Sequence, residues 1–363
     1  MRVALFCRSL LSEWNHGNVH FLRGVVTELA ARGHEVRTFE PATAWGAEHL
    51  IAEAGEEARG EVQRAYPALA PTRYDLASLD LDSALADVDL VIVHERNDPD
   101  LIRRIGAHRA RTGTYRALFH DTHHRAVTEP ESIARCELGR YDGVLAFGRS
   151  LRDVYLARGF ADRIFVWHEA ADARVFTPRR ARLERDLVWI DDHGDGEHRA
   201  EIEALLIAPV RTLGLTARVH GARYPAITRA AFGRAGIELA GRIPDHLVPE
   251  AFARARATLH IPRRPYVESL PGIPTIGVFE ALACGVPLVV ARFRDDEELF
   301  SPGLDFLPAE TGRDMTRALG SLLSSPERAR ALAEHGRATL LARHTCVHRV
   351  DELLAIYAEL MLR

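Results

Sequence analysis

The segment GIPTIGVFEALACGVPLVVA, residues 272–291, holds the densest set of residues that could bind a ligand. A loop rich in glycine and proline leads into a short apolar helix, and a Gly-Val-Pro turn leads out into a predicted strand. The start of a helix offers N–H groups without intrahelical partners and a partial positive charge. A diphosphate can bind there without any lysine. Gly272 and Gly277 would let such a ligand approach the backbone closely.

Glu280 is predicted within about the first turn of this helix. Its carboxylate could accept hydrogen bonds from both vicinal hydroxyls of a ribose. It could equally complement the helix dipole, an effect of about 0.3–1 kcal/mol, and the two interpretations stay open. The predicted ligand-binding residues of this segment are Thr275, Ile276, Gly277, Val278 and Glu280.

The cations of this chain are all arginines: the 47 basic residues include no lysine. Walker-type and Schiff-base lysine chemistry is therefore excluded, and arginine must supply any side-chain cation for a phosphate. Arg199, Arg223, Arg263 and Arg264 are the candidates. Arg223, Arg263 and Arg264 each follow a predicted strand, where ligands gather in open α/β sheets. We expect one of these three to bind phosphate, and surface ion pairs are the alternative.

A histidine-rich loop, HDTHH, follows the predicted strand Tyr115–Phe119. His120 at the strand end could donate to a sugar hydroxyl or act as an acid or base, and Asp121 could orient it. His123 and His124 would line the same cleft. A metal site is less favoured, because no carboxylate motif accompanies these histidines and they lack i, i+4 spacing. Simple loop histidines remain the other alternative.

The polar loop SEWNHGN, residues 12–18, separates the first strand from the first helix. It lacks GxGxxG, which argues against a dinucleotide-dependent dehydrogenase. His16, Gly17 and Asn18 are candidates to line a cleft, although Asn18 alone is better explained as a helix N-cap. The acidic run DDHGDGEH, residues 191–198, does not match a calcium loop and predicts a turn that faces the donor phosphates.

Buried strands and amphipathic helices alternate along most of the chain. Ten strands are predicted, at Arg2–Cys7, Val36–Phe39, Asp89–His94, Tyr115–Phe119, Gly143–Phe147, Ile164–Trp167, Leu187–Ile190, Ala217–His220, Ala257–Ile261 and Leu288–Ala291. Such alternation predicts a doubly wound parallel sheet in each half of the chain.

Composition restricts the class of protein further. The chain has 363 residues, which is enough for two domains. A net charge of -4 gives no overall basic field for nucleic acid. The four cysteines form no CxxC pair, the N-terminus reads as a strand rather than a signal peptide, and no apolar run is long enough to span a membrane. The cytoplasm is the predicted location.

The motifs WNHGNVHFLRG, HGARYP and PTIGVFEALACGVPLV, together with EAADARVFTP, resemble those of GT-B glycosyltransferases, specifically the CgeB-like group. The resemblance implies two Rossmann-like domains facing a central cleft. Residues 1–168 would bind the acceptor and residues 169–345 the nucleotide-sugar, with 346–363 packing back on the first domain. Glu280 matches the glutamate that holds the donor ribose, and His120 the first-domain histidine close to the reacting sugar.

The resemblance predicts a hexosyltransferase that moves a sugar from a nucleotide-diphosphate donor, UDP-sugar by preference, to a small-molecule, glycan or natural-product hydroxyl. Retention, no cofactor and no metal are expected. Related retaining enzymes carry a second glutamate eight positions before the ribose one, where this chain has Gly272. Two alternatives stay open: a sugar-nucleotide epimerase, and a non-catalytic binding protein of the same fold. Oligomeric state is not predicted.

Overall fold

The computed structural model describes residues 1–11, 17–42, 57–192, 199–292, 294 and 296–362. The chain divides into two compact units. The first unit comprises Met1–Asp172 and Cys346–Arg363, and the second comprises Ala173–Thr345. The sequence prediction set the change of domain after residue 168.

The first unit contains a seven-stranded parallel sheet. Its strands are β1 Arg2–Phe6, β2 Glu35–Pro41, β3 Thr72–Tyr74, β4 Leu90–His94, β5 Arg116–Asp121, β6 Gly143–Ala146 and β7 Ile164–Val166. They lie in the order β3-β2-β1-β4-β5-β6-β7. The order reverses beside β1, so that the carboxyl ends of β1 and β4 form the switch point at which ligands collect in such sheets.

Helices connect these strands. They are α1 Gly17–Ala31, α2 Glu57–Ala65, α3 Leu81–Ala84, α4 Pro99–Thr112, α5 Arg125–Thr128, α6 Pro130–Ala134 and α7 Arg149–Arg158. The central strand β4 is buried at all five of its positions. This is the pattern of a parallel strand that is covered on both faces.

The second unit has a six-stranded parallel sheet. Its strands are β8 Arg185–Ile190, β9 Ala217–His220, β10 Ile237–Leu239, β11 Ala255–His260, β12 Leu288–Ala291 and β13 Leu307–Ala309. They lie in the order β10-β9-β8-β11-β12-β13. The switch point here lies between β8 and β11, and the core beneath it includes Trp189, Val219 and Leu259.

The helices of this unit are α8 Arg199–Ile202, α9 Ala208–Leu213, α10 Ala226–Arg234, α11 Val248–Ala253, α12 Arg264–Ser269, α13 Ile276–Cys284, α14 Gly312–Ser324 and α15 Pro326–Arg343. A π-helical turn, Glu203–Ile207, joins α8 to α9. Pro209 follows within α9 and has no N–H to donate to the preceding turn, which explains the local widening.

The last helix, α16 Cys346–Met361, belongs to the first unit. It packs against α1. Arg349 is 2% exposed, and its Nε donates to the carbonyl oxygen of His168 at 2.9 Å, while Trp167 Nε1 donates to the Arg349 carbonyl at 2.8 Å. These buried bonds connect the C-terminal helix to the chain that follows β7.

Candidate functional site

The first turn of α13 lies at the centre of the predicted donor site. Thr275 occupies the N-cap position with extended backbone, but its side chain makes no capping hydrogen bond to the helix. Instead, Thr275 Oγ1 lies 3.0 Å from Nε2 of His260, the last residue of β11. The helix therefore begins without the side-chain acceptor that usually satisfies its first N–H groups, which suits an anionic ligand.

Gly272 and Gly277 are required by the protein's own packing. A Cβ atom at Gly277 would lie 3.3 Å from Nδ1 of His260, and one at Gly272 would lie 2.6 Å from Cβ of Asp296. Gly272 also has a φ of +83°, a left-handed conformation that favours glycine. The sequence assigned these glycines to close approach of a ligand, whereas the atoms that the structure places against them are His260 and Asp296.

Glu280 lies in the second turn of α13, one turn later than predicted. It is 8% exposed. Helix-dipole effects fall off within the first turn, so they do not account for a carboxylate at this depth. The depth of Glu280 in the helix argues against the dipole interpretation, and the ribose interpretation stays a prediction.

Arg223 and Arg263 approach the two aspartates that follow β8. Arg223 Nη2 lies 3.4 Å from Oδ2 of Asp192, and Arg263 Nη2 lies 3.9 Å from Oδ1 of Asp191. Arg223 has a φ of +62°, which is unusual for a residue with a side chain and recurs at functional sites. Asp192 also accepts from the backbone N–H of Ala222 at 2.7 Å. The structure thus brings Arg223 and Arg263 together at the predicted strand ends.

The remaining predicted arginines lie on neighbouring elements. Arg199 is the exposed first residue of α8, directly after residues 193–198, which lie outside the described chain. Arg264 begins α12, and its Nη2 donates to both carboxylate oxygens of Glu201, at 3.2 and 3.3 Å. Glu201 and Arg292, which contacts the same carboxylate, are not among the predicted site residues. Arg292 follows the predicted strand Leu288–Ala291, whereas Glu201 lies within α8 and has no such sequence signal.

His120 lies at the end of β5 in the first unit and is 0% exposed. Its ring lies 4.9 Å from the Trp167 ring and 5.2 Å from the His94 ring, both edge-on. Among the described residues, neither ring nitrogen of His120 has a hydrogen-bond partner. Burial lowers the pKa of His120 to about 3, so the imidazole is neutral.

Asp121 does not orient His120, contrary to the prediction. Adjacent strand residues point to opposite faces of a sheet. The Asp121 carboxylate accepts from the Tyr155 hydroxyl at 2.5 Å and from the His123 backbone N–H at 2.9 Å. Burial raises the pKa of Asp121 to about 6. The carboxyl group therefore shapes the histidine loop, while His120 is held by aromatic contacts.

The other first-unit candidates lie in the HDTHH loop and around the start of α1. The rings of His123 and His124 lie 4.0 Å apart, and His124 Nδ1 lies 3.0 Å from the Thr128 hydroxyl. Helix α1 begins at Gly17, so Asn18 is inside its first turn and not at the N-cap. His16 lies outside the described residues.

The described part of the chain offers neither a metal-binding cluster nor a membrane-spanning helix. Within it, no group of three or more His, Cys, Asp or Glu side chains is arranged to hold a metal ion. No helix in that part is long and apolar enough to cross a membrane.

A family of known proteins matches part of the chain. Residues 199–355 match the family model described as glycosyl transferase-like. This segment is less than half of the chain, covers most of the second unit and extends into α16. A sequence comparison with curated proteins finds no match.

Solved structures match over nearly the whole chain. Sucrose-phosphate synthase from Thermosynechococcus elongatus has a TM-score of 0.67 at 15% identity, with 99% of each chain covered. HepE from Anabaena, in complex with UDP-glucose, has a TM-score of 0.70 at 13% identity, covering 99% of this chain and 100% of its own. An alpha-glucosyltransferase in complex with UDP and DNA has a TM-score of 0.72 at 14% identity, with 99% of each chain covered.

These similarities define the fold of the protein. Two parallel-sheet α/β domains that match such structures over their full length make this a GT-B fold. The glycosyl transferase-like family match over residues 199–355 agrees with this fold.

Proposed function

We propose that the chain transfers a sugar from a UDP-sugar to an acceptor hydroxyl, with retention at the anomeric carbon and without a metal ion. The observation that carries this proposal is the start of α13, where an uncapped helix N-terminus precedes the buried carboxylate of Glu280. Phosphate oxygens would bind the first N–H groups of the helix, and Glu280 would accept hydrogen bonds from the ribose diol. The complexes of HepE with UDP and with UDP-glucose support this choice of donor.

The charge that develops on the leaving diphosphate would be stabilised by α13 and by arginines of the second domain. Arg223 and Arg263 retain part of their surface, since their side chains are 47% and 28% exposed. Preorganised donors of this kind can take the place of a metal ion at a developing negative charge. Arg199, at the start of α8, is the third candidate for this role.

The acceptor side of the reaction is proposed for the first domain. His120 is the penultimate residue of β5, is neutral, and has two ring nitrogens without a partner in the described chain. A neutral imidazole can donate one hydrogen bond and accept another, so it suits a hydroxyl that must be oriented. His16, Gly17, His123 and His124 would line the acceptor pocket. The acceptor is proposed to be a small molecule, glycan or natural product.

The proposal also includes the CgeB-like family group and a cytoplasmic location. The CgeB-like group rests on WNHGNVHFLRG and the other quoted motifs. The cytoplasm agrees with the cysteines, all four of which lie in the described chain and form no disulfide.

The test is incubation of the purified chain with a panel of UDP-sugars, with and without EDTA, followed by detection of free UDP and of new sugar nucleotides. Release of UDP that EDTA leaves unchanged is the expected result. A converted sugar nucleotide in the absence of acceptor would favour an epimerase. Neither UDP release nor a converted sugar nucleotide with any donor of the panel would favour a non-catalytic protein.

His120→Ala separates chemistry from donor binding in the same assay. We expect UDP affinity to be kept and turnover to fall at least about a hundredfold, the usual range for loss of an acid, base or hydrogen-bonding group. His108→Ala is the matched control, because His108 is a buried histidine of the same domain whose Nδ1 lies 3.0 Å from the Tyr115 hydroxyl. Normal turnover in His120→Ala would remove this residue from the mechanism.

A further inference from the structure

Two arginines from different strand ends meet at one buried carboxylate oxygen. Arg264 begins α12 after β11, and Arg292 directly follows β12. Arg264 Nη2 lies 3.2 Å from Oε1 of Glu201, and Arg292 Nη1 lies 3.3 Å from the same oxygen. The Glu201 side chain is 6% exposed, so it is fixed in the protein interior below the two guanidinium groups.

The outer parts of both guanidinium groups remain accessible. The side chains of Arg264 and Arg292 are 46% and 42% exposed. In the described chain, the side chain of Arg264 donates only from Nη2 and that of Arg292 only from Nη1. A guanidinium has five N–H donors. Most donors of this pair are therefore left for water or a ligand, and the three side chains together keep a net positive charge.

The backbone of Arg292 also has an unusual conformation. Its φ of +49° places it in the left-handed region although it carries a side chain. Such strain persists where the surrounding structure fixes it, and it concentrates at ligand sites. Arg223, on the other side of the β8–β11 switch point, shows the same feature.

We propose that Glu201 is a positioning residue that holds Arg264 and Arg292 together as one anion-binding fork for the donor diphosphate. This inference rests on the proposed function, since it adds Arg264 and Arg292 to the arginines that would receive the leaving diphosphate. Guanidinium groups bind phosphate oxygens bidentately when their planes are fixed. A buried carboxylate shared by both arginines supplies that fixation, in a chain that has no lysine to share the task.

The test is Glu201→Gln, with binding of UDP, UMP and inorganic pyrophosphate measured by titration calorimetry. We expect UDP and pyrophosphate to bind about tenfold more weakly, because the amide cannot bridge two guanidinium groups as the carboxylate does. The affinity for UMP should fall by a smaller factor. Arg264→Met and Arg292→Met should each weaken the binding of UDP and pyrophosphate by a similar factor. When either substitution is combined with Glu201→Gln, the loss of affinity should be smaller than the two separate losses together.

Glu184→Gln is the matched control. Glu184 also contacts two arginines, Arg254 and Arg218, but it directly precedes β8 and so lies at the opposite edge of the same sheet. Its substitution should leave all three affinities unchanged. Circular dichroism melts of every variant report folding, and the two exposed arginines keep the test valid if Glu201→Gln does not fold.

The sign of the effect distinguishes the proposal from simple charge balance. If Glu201 only neutralised the arginines, removing its negative charge would tighten the binding of UDP and pyrophosphate. Tighter or unchanged binding in Glu201→Gln, or no binding of pyrophosphate by the wild type, would overturn the inference. If pyrophosphate responds as expected but no nucleotide diphosphate binds, the proposed function fails and the anion fork stands. If UDP binds equally to all variants, only the fork fails.

Discussion

His120 shows how much a single side chain can be constrained without a hydrogen bond. It is fully buried between Trp167 and His94, and neither nitrogen has a partner in the described chain. A buried polar group without a partner costs free energy. Such a cost is explained if the ring is preorganised for a hydroxyl that arrives with the substrate, in line with the proposed acceptor role.

The pH dependence of stability should report the neutral state of His120. Its folded pKa of about 3 lies below the unfolded value of 6.5. The unfolded state therefore binds the extra proton, and folded stability present above pH 6.5 is lost as the pH falls toward 3. Relative to His120→Asn, the wild type should lose about 1–3 kcal/mol of unfolding free energy between pH 7 and pH 4. Urea titrations at both pH values measure this difference.

Asp121 also makes the stability depend on pH, with the opposite sign to His120, so the wild type and His120→Asn must be compared at each pH. Its folded pKa of about 6 exceeds the ordinary value of 3.8, so its contribution to stability grows as the pH falls through 6. Because Asp121 is present in both proteins, its contribution cancels in the comparison. A pH-independent difference between wild type and His120→Asn would contradict the neutral, buried imidazole.

Motifs in the sequence singled out Glu280 and His120, and the structure buries both side chains. Their roles in binding the donor ribose and the acceptor stay predictions. Glu201 was missed, because its arginine partners lie 63 and 91 positions away in the sequence. Asp121 was assigned to His120 because it is adjacent in sequence, whereas strand geometry turns its carboxylate toward Tyr155.

At the scale of elements, long apolar runs were the reliable signal. All ten predicted strands are present, with bounds shifted by no more than two residues. The three strands that were missed, β3, β10 and β13, have three residues each, and all lie at sheet edges. The missed strands lack an uninterrupted apolar run, since their sequences are TRY, IEL and LPA. The equally short strand β7 has the apolar sequence IFV and was predicted.

The close packing of α1 against α16 can be tested by adding one methyl group at Gly24. A Cβ atom at Gly24 would lie 2.4 Å from Sγ of Cys346 and 2.9 Å from Cβ of Asp172. Gly24→Ala should therefore lower the free energy of unfolding by about 1–3 kcal/mol, the usual cost of overpacking. Gly233→Ala is the matched control, because Gly233 lies in helix α10 and a Cβ atom there would have no neighbour within 4 Å in the described chain. Thermal melts measure both variants, and equal stability would contradict close packing at Gly24.

At the scale of the whole molecule, the class of fold followed from the alternation of strands and helices. Each half of the chain forms its own parallel sheet, as predicted. The return of α16 to the first unit came from the family resemblance, because no local pattern indicates which unit a terminal helix joins. The predicted change of domain after residue 168 and the observed one after Asp172 differ only within a connecting segment.

The central claim is that Glu280 holds the ribose of a nucleotide diphosphate at the start of α13. The most direct test measures the affinities of UDP and 2′,3′-dideoxy-UDP for the wild type and for Glu280→Gln, with Glu250→Gln, at an exposed residue of α11, as the control. The account predicts that loss of the diol weakens binding to the wild type by about 1–3 kcal/mol and has little effect on Glu280→Gln. Equal losses in both proteins would contradict it.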